Sequence, residues 1–128
     1  FNAALFRRDF RDYYRRTGIH PIMHCVVLRK DVYEKDPWAL RNVYEAMCQA
    51  KDKTLARISD IGALSAMVPL LPAFLDQTRE VFGEDFWPYG IEANRKTLEK
   101  LVLYAHQQGL PPRQLEVEEL FGESVRAT

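Results

Sequence analysis

The run Ile19-His20-Pro21-Ile22-Met23-His24-Cys25-Val26-Val27-Leu28-Arg29-Lys30 constrains this chain more than any other stretch. β-Branched and apolar residues follow a Gly-Ile-His-Pro opening and stop at the charged Arg29-Lys30-Asp31. Four consecutive apolar residues, Cys25 to Leu28, predict a strand covered on both faces. Everything downstream has helical character, and only weak strand candidates exist elsewhere. A lone buried strand cannot satisfy its own backbone donors and acceptors, so its ladder partners are expected in residues not present here or in a second copy of the chain. The fold class expected is an α-rich α/β fragment with one main buried strand and four to five helices. An exposed strand edge recruits another strand, so a homo-oligomer is expected.

Bulk composition is that of an ordinary folded domain. Of 128 residues, 47% are apolar and 28% charged, enough to bury a real core and too apolar for a disordered chain. The formal net charge is zero, which removes any overall electrostatic case for nucleic acid or an anionic membrane as partner. Cys25 and Cys48 lack metal-type or redox-type spacing and read as buried free thiols in a reducing, cytoplasmic setting. No window reaches transmembrane length. The chain opens Phe-Asn-Ala-Ala without a methionine, so a processed or excised segment is expected.

The helices read from apolar spacing and from Gly and Pro stops. Phe10, Tyr13 and Tyr14 make an i, i+3, i+4 stripe over residues 9–16, with Gly18 as the stop. Arg7, Arg8, Arg11, Arg15 and Arg16 crowd this window with Asp9 and Asp12 between them, either as a solvated face of helical ion pairs or as an anion site. After a single turn at 31–35, Asp36 as N-cap and Pro37 at N1 start a helix to about Ile58. Its predicted buried stripe is Leu40, Val43, Tyr44, Met47, the Lys51 stem, Leu55 and Ile58. A short helix through Met67 precedes one from Leu71 to Phe82, ended by Gly83. Ile91 to Gln108 gives the cleanest helix, with Ile91, Asn94, Leu98, Leu101, Val102 and Ala105 on one face and Gly109 as stop. A short helix at 117–121 leaves a fraying tail from Gly122. The loop Gly83 to Gly90 is dense in aromatic residues, and Trp87 and Tyr89 either line a pocket or staple the loop to the body.

Motifs that would assign chemistry on their own are missing. There is no glycine-rich phosphate loop and no Gly-x-Ser-x-Gly elbow. His20 and His24 lie four apart in an extended segment, about 13 Å from one another on one face, too far to chelate one metal. His106 reads as a surface residue.

A longer pattern says more. Tyr13-Tyr-Arg-Arg-Thr-Gly-Ile-His-Pro-Ile-Met-His24, then Val26-Val-Leu-Arg, then Asp36-Pro-Trp, resembles the C-terminal part of the 4,5-dihydroxyphthalate decarboxylase family. Phe82-Gly, the run Trp87-Pro-Tyr-Gly-Ile-Glu-Ala-Asn-Arg-Lys-Thr-Leu-Glu99 and Glu118-Glu-Leu-Phe121 continue the resemblance in register. His20 departs from the hydrophobic residue expected before the proline. The resemblance implies a two-lobed, type II periplasmic-binding-protein-like α/β fold, of which residues 1–128 would be one C-terminal segment. It implies decarboxylation of a dihydroxylated aromatic diacid, with a small aromatic carboxylate as partner and no cofactor demanded.

In 4,5-dihydroxyphthalate each carboxylate is para to a hydroxyl, so a ring carbon can accept a proton with that hydroxyl stabilising the cation. The reaction needs a proton donor, a clamp for the retained carboxylate and apolar walls beside the departing one. Under the resemblance these roles match His24 (acid or base), Arg16 or Arg95 (clamp), and Tyr14, Trp87 and Tyr89 (walls). His24 reads equally well as a satisfied core histidine, and Arg95 as a surface partner of Glu92 or Glu99. The rival class is a non-catalytic solute-binding protein holding a small organic anion in the same cleft.

Overall fold

The computed structural model describes residues 3–63 and 65–128, with side chains from residue 8 onward except those of the undescribed Leu64. Among the described residues five helices and two 3-10 turns follow one another: α1 (Ala3–Thr17), α2 (Lys30–Lys35), α3 (Trp38–Ser59), α4 (Leu71–Phe82), α5 (Ile91–Gln107), then turns at Val117–Leu120 and Glu123–Val125. No strand occurs among the described residues. This overturns the expected buried strand and, with it, the α/β, two-lobed fold class.

The physical reason lies in the pairing requirement itself. Among the described residues no strand pairs with residues 19–29, so this run crosses the surface as irregular chain. Its middle is bare: Met23 is 72% exposed, Val26 62% and Val27 87%. Cys25, expected in a core, is exposed and free. Four apolar residues in a row describe a strand only where two layers are available to cover them.

Helix ends follow their local chemistry. Gly18 adopts φ 66° and its N–H closes on the Tyr14 carbonyl at 2.6 Å, a left-handed stop for α1. Gly109, at φ 73°, ends α5 in a Schellman arrangement, with Leu110 N–H donating to the Ala105 carbonyl at 3.0 Å. α4 spans the predicted Leu71 to Phe82. Its N-cap, Leu70, sits at φ 64°, a left-handed conformation unfavourable for a side-chain-bearing residue. Pro37, not Asp36, is the N-cap of α3, and no side chain caps that end. Of the predicted short helix at 63–67, Leu64 lies outside the described residues and its neighbours form bends.

The core is small. Ile91, Leu98 and Val102 of α5 pack on Val117, with Leu115 and Phe121 against them. Leu101, predicted on that face, is 53% exposed, and α3 has no buried residue. Met47, read as core, is exposed, and Cys48 is half-buried. His106 departs from its surface reading: it is half-buried, and its Nδ1 has no hydrogen-bond partner among the described residues. The accessible surface is 9783 Å². A compact monomer of 14.9 kDa exposes about 7,000 Å². α3 and the 19–29 run carry much of that surplus as half-covered apolar surface.

The C-terminal tail does not fray as expected. Val125 is buried, and Ser124 Oγ donates to the Pro37 carbonyl at 3.3 Å. The Thr128 carbonyl accepts the N–H groups of Ile91 and Glu92, both at 2.8 Å, so the tail satisfies the free donors that begin α5. Gly90 permits that approach: a Cβ there would lie 2.9 Å from the Thr128 carbonyl carbon.

Candidate functional site

The end of α1, the segment after it, the end of α4 and the 83–90 loop converge on one small cleft. It measures about 60 Å³, and Tyr14, His20, Phe82, Asp85, Asn94 and Thr97 are among its lining. His20 is its centrepiece. The imidazole stands edge-on among Phe10, Phe82 and Trp87, each 5.4 Å away by ring centroids. Tyr14 packs on Phe82 at 4.5 Å, closing the aromatic group. Such edge-to-face contacts contribute about 0.5–1.5 kcal/mol each beyond area burial.

Sequence order builds this group through short, well-anchored links. Gly18 turns the chain at the end of α1, and Thr17 Oγ accepts the Ile19 N–H at 3.1 Å. The next residue, His20, is therefore folded back over the Phe10–Tyr14 face of α1. Thr97 Oγ donates to the His20 carbonyl at 3.3 Å and ties the segment to α5. On the opposite side, Asn94 Nδ2 donates to the carbonyls of Pro88 and Gly90, both at 2.9 Å, fixing the aromatic loop.

Lys51 fixes the same loop from α3. Its side chain is only 11% exposed, and its ammonium lies 2.7 Å from Asp85 and 5.2 Å from the Tyr89 ring centroid. The second Asp85 oxygen accepts the Trp87 N–H at 3.4 Å. Lys51 thus neutralises the one carboxylate on the cleft wall and holds the backbone that presents Trp87 to His20. Both loop aromatics pack on the chain's own residues, Trp87 on His20 and Tyr89 under Lys51.

The sequence-predicted residues are dispersed. Tyr14 lines the cleft, and Trp87, a residue still 47% exposed, borders it through His20. His24 is exposed and is not in the cleft lining. Arg16 is exposed at the end of α1, among arginines of which Arg8 and Arg15 flank Asp12 at 3.9 Å and Arg11 donates to Gln77. The Arg7 side chain lies outside those described. Arg95 is engaged by two carboxylates, Glu92 and Glu118. Hydrogen bonds, first to Glu92 and then to Glu118, raise its already high pKa, and the guanidinium lowers both acids in return.

His20, Asp85 and Lys51 are the residues that sequence reasoning passed over. The signal for Lys51 was present in its place on the apolar stripe of α3; the signal for His20 was its departure from the hydrophobic residue expected there. Among the described residues, no group of three or more His, Cys, Asp or Glu is placed to hold a metal ion. No described helix is long and apolar enough to cross a membrane.

No family model matches this chain. It is similar to the 4,5-dihydroxyphthalate decarboxylase of Comamonas testosteroni, with 33% identity over 110 residues, or 86% of this chain. The chain spans about a third of the length of that curated relative, 33% of it. With most of its own residues aligned at that identity, the chain is a distant relative of 4,5-dihydroxyphthalate decarboxylase.

Proposed function

We propose that this chain is the C-terminal part of a longer lyase that decarboxylates a dihydroxylated aromatic diacid such as 4,5-dihydroxyphthalate. The observation that carries the proposal is the 33% identity over 86% of the chain to a protein of that activity. The aromatic cleft supports it chemically. Rings of Tyr14, Phe82 and Trp87 offer an apolar wall, the kind of surround in which a carboxylate gains by leaving as neutral CO₂. At about 60 Å³ the cleft admits a carboxyl group and not a substituted benzene ring, for which pockets of about 300 Å³ or more are usual. The substrate ring then lies outside it, against the exposed part of Trp87 and residues beyond this segment.

The resemblance gives the acid or base role to His24, the clamp on the retained carboxylate to Arg16 or Arg95, and a further wall to Tyr89. Arg16 is the freer of the two cations, since Arg95 already holds Glu92 and Glu118. The reaction consumes one proton at the ring carbon and releases CO₂; no cofactor is needed to balance it.

The test is CO₂ release from 4,5-dihydroxyphthalate. The whole protein is expected to form CO₂ and 3,4-dihydroxybenzoate in equal amounts, and the isolated 128-residue segment to form neither. A whole protein that leaves the diacid intact overturns the proposal. The alternative, a non-catalytic binding protein for a small organic anion, predicts saturable binding of the same diacid without turnover.

A further inference from the structure

We propose that the cleft receives the departing carboxylate and that His20, not His24, delivers the proton to the ring carbon that bears it. The inference rests on the decarboxylase reading above and deepens it. Three observations carry it. First, the cleft has room for a carboxyl group only. Second, its lining contains no arginine or lysine, and its one acid, Asp85, is already neutralised by Lys51 at 2.7 Å. Lys96 Nζ stands beside Gly18 of the lining, 3.3 Å from where a Cβ there would lie, but no cationic side chain is itself part of the lining. A carboxylate entering there meets mainly rings and an imidazole, which suits a group about to lose its charge more than one to be retained. Third, the His20 ring is fixed by three aromatic neighbours and by Thr97 on its backbone, yet no hydrogen bond to its nitrogens occurs among the described residues. An imidazole held in place with its polar atoms uncommitted is positioned to act on a ligand.

The step balances without a further reactant. A proton from His20 forms a C–H bond to the carboxylate-bearing carbon at the expense of a ring π pair, and the hydroxyl para to it stabilises the cation. The C–C bond then breaks, its electron pair restores the aromatic ring, and CO₂ leaves into the cleft. The imidazole regains a proton from solvent. His24, four residues on, is exposed, and an exposed imidazole does not keep water from such a step.

The experiment compares His20→Gln and His24→Gln in the whole protein with 4,5-dihydroxyphthalate, alongside the ring resonances of His20, His24 and His106, each assigned by substitution, in the unmodified protein during titration with the diacid. For a proton donor the expected loss is about 100-fold or more in kcat for His20→Gln with KM little changed, and under 3-fold for His24→Gln. The His20 resonance is expected to shift saturably with the diacid and the His106 resonance to stay. Near wild-type kcat in a folded His20→Gln protein, or a ligand shift at His24 with none at His20, overturns the inference while the decarboxylase reading stands. Absence of turnover by the unmodified protein overturns both. If His20→Gln does not fold, the resonance titration decides.

Discussion

Replacing Lys51 by methionine removes one charge from behind the cleft and leaves the packing of its stem nearly intact, so it isolates what the ammonium does. The ion pair with Asp85 is closed on one side only: Lys51 is 11% exposed and Asp85 52%. A hydrogen bond to a charged partner contributes about 1.5–3 kcal/mol where both groups are withdrawn from water, and less when one can rehydrate as Asp85 can. The Tyr89 ring at 5.2 Å adds about 0.5–1 kcal/mol. The sum expected for Lys51→Met is about 1–2 kcal/mol, a fall of about 3–8 °C in Tm for a chain of this size. The assay is thermal unfolding together with Trp87 emission in a Trp38→Phe background. Loss of the anchor frees Asp85, then the Trp87 backbone, and finally the ring contact with His20, so emission moves to longer wavelength. Lys51→Arg restores both readings in part. Unchanged Tm and emission in Lys51→Met would show that the loop is held by Asn94 and its own rings, and that the ammonium positions nothing.

Further outcomes follow from single features. Gly90→Ala introduces a Cβ 2.9 Å from the Thr128 backbone at φ 97°, so a loss of about 1–3 kcal/mol is expected by urea unfolding, and an unchanged stability would contradict the left-handed turn at Gly90. Arg113 grips Glu119 and, with the Glu116 N–H second, holds its carboxyl down to about 2 from an ordinary 4.5. Because the folded value lies below the unfolded one, the stabilisation is complete above pH 4.5 and is lost as pH falls through 2. Unfolding midpoints should fall across that window and fall less in Glu119→Gln. The surplus of about 2,800 Å² per chain over a compact monomer corresponds to about 5,600 Å² in total across a dimer, the scale of the larger obligate interfaces, so the isolated segment is expected to dimerise through residues 23–29 or the helices beside them. Light scattering at micromolar concentration checks this, and a monodisperse monomer contradicts it.

What sequence reasoning could see was what local chemistry decides. Gly18, Gly83 and Gly109 stop helices wherever the chain needs a left-handed turn, and the bounds of α4 and α5 follow from them. What it could not see was what lies across the gap. Cys25-Val-Val-Leu28 and the α3 stripe are patterned for burial, yet pattern does not reveal whether a covering layer exists: among the described residues Cys25, Val26 and Val27 stay exposed and the α3 stripe is only partly covered. The docked tail was hidden for a related reason: Val125 and the Thr128 carbonyl find partners 36 or more residues away, on α3 and at the start of α5. In the site, the 83–90 loop stood out by its aromatic density, and Tyr14 only through the resemblance. His20 was not, because an imidazole acquires meaning only from the rings that surround it, and these come from three separate stretches of chain.

The most direct measurement is turnover of 4,5-dihydroxyphthalate by the whole protein in D₂O, with the product examined by mass and proton NMR. Protonation at the ring carbon predicts 3,4-dihydroxybenzoate carrying a single deuterium at the position that lost its carboxylate, formed mole for mole with CO₂. Diacid that binds saturably and is recovered unchanged would contradict the account and leave a binding protein in its place.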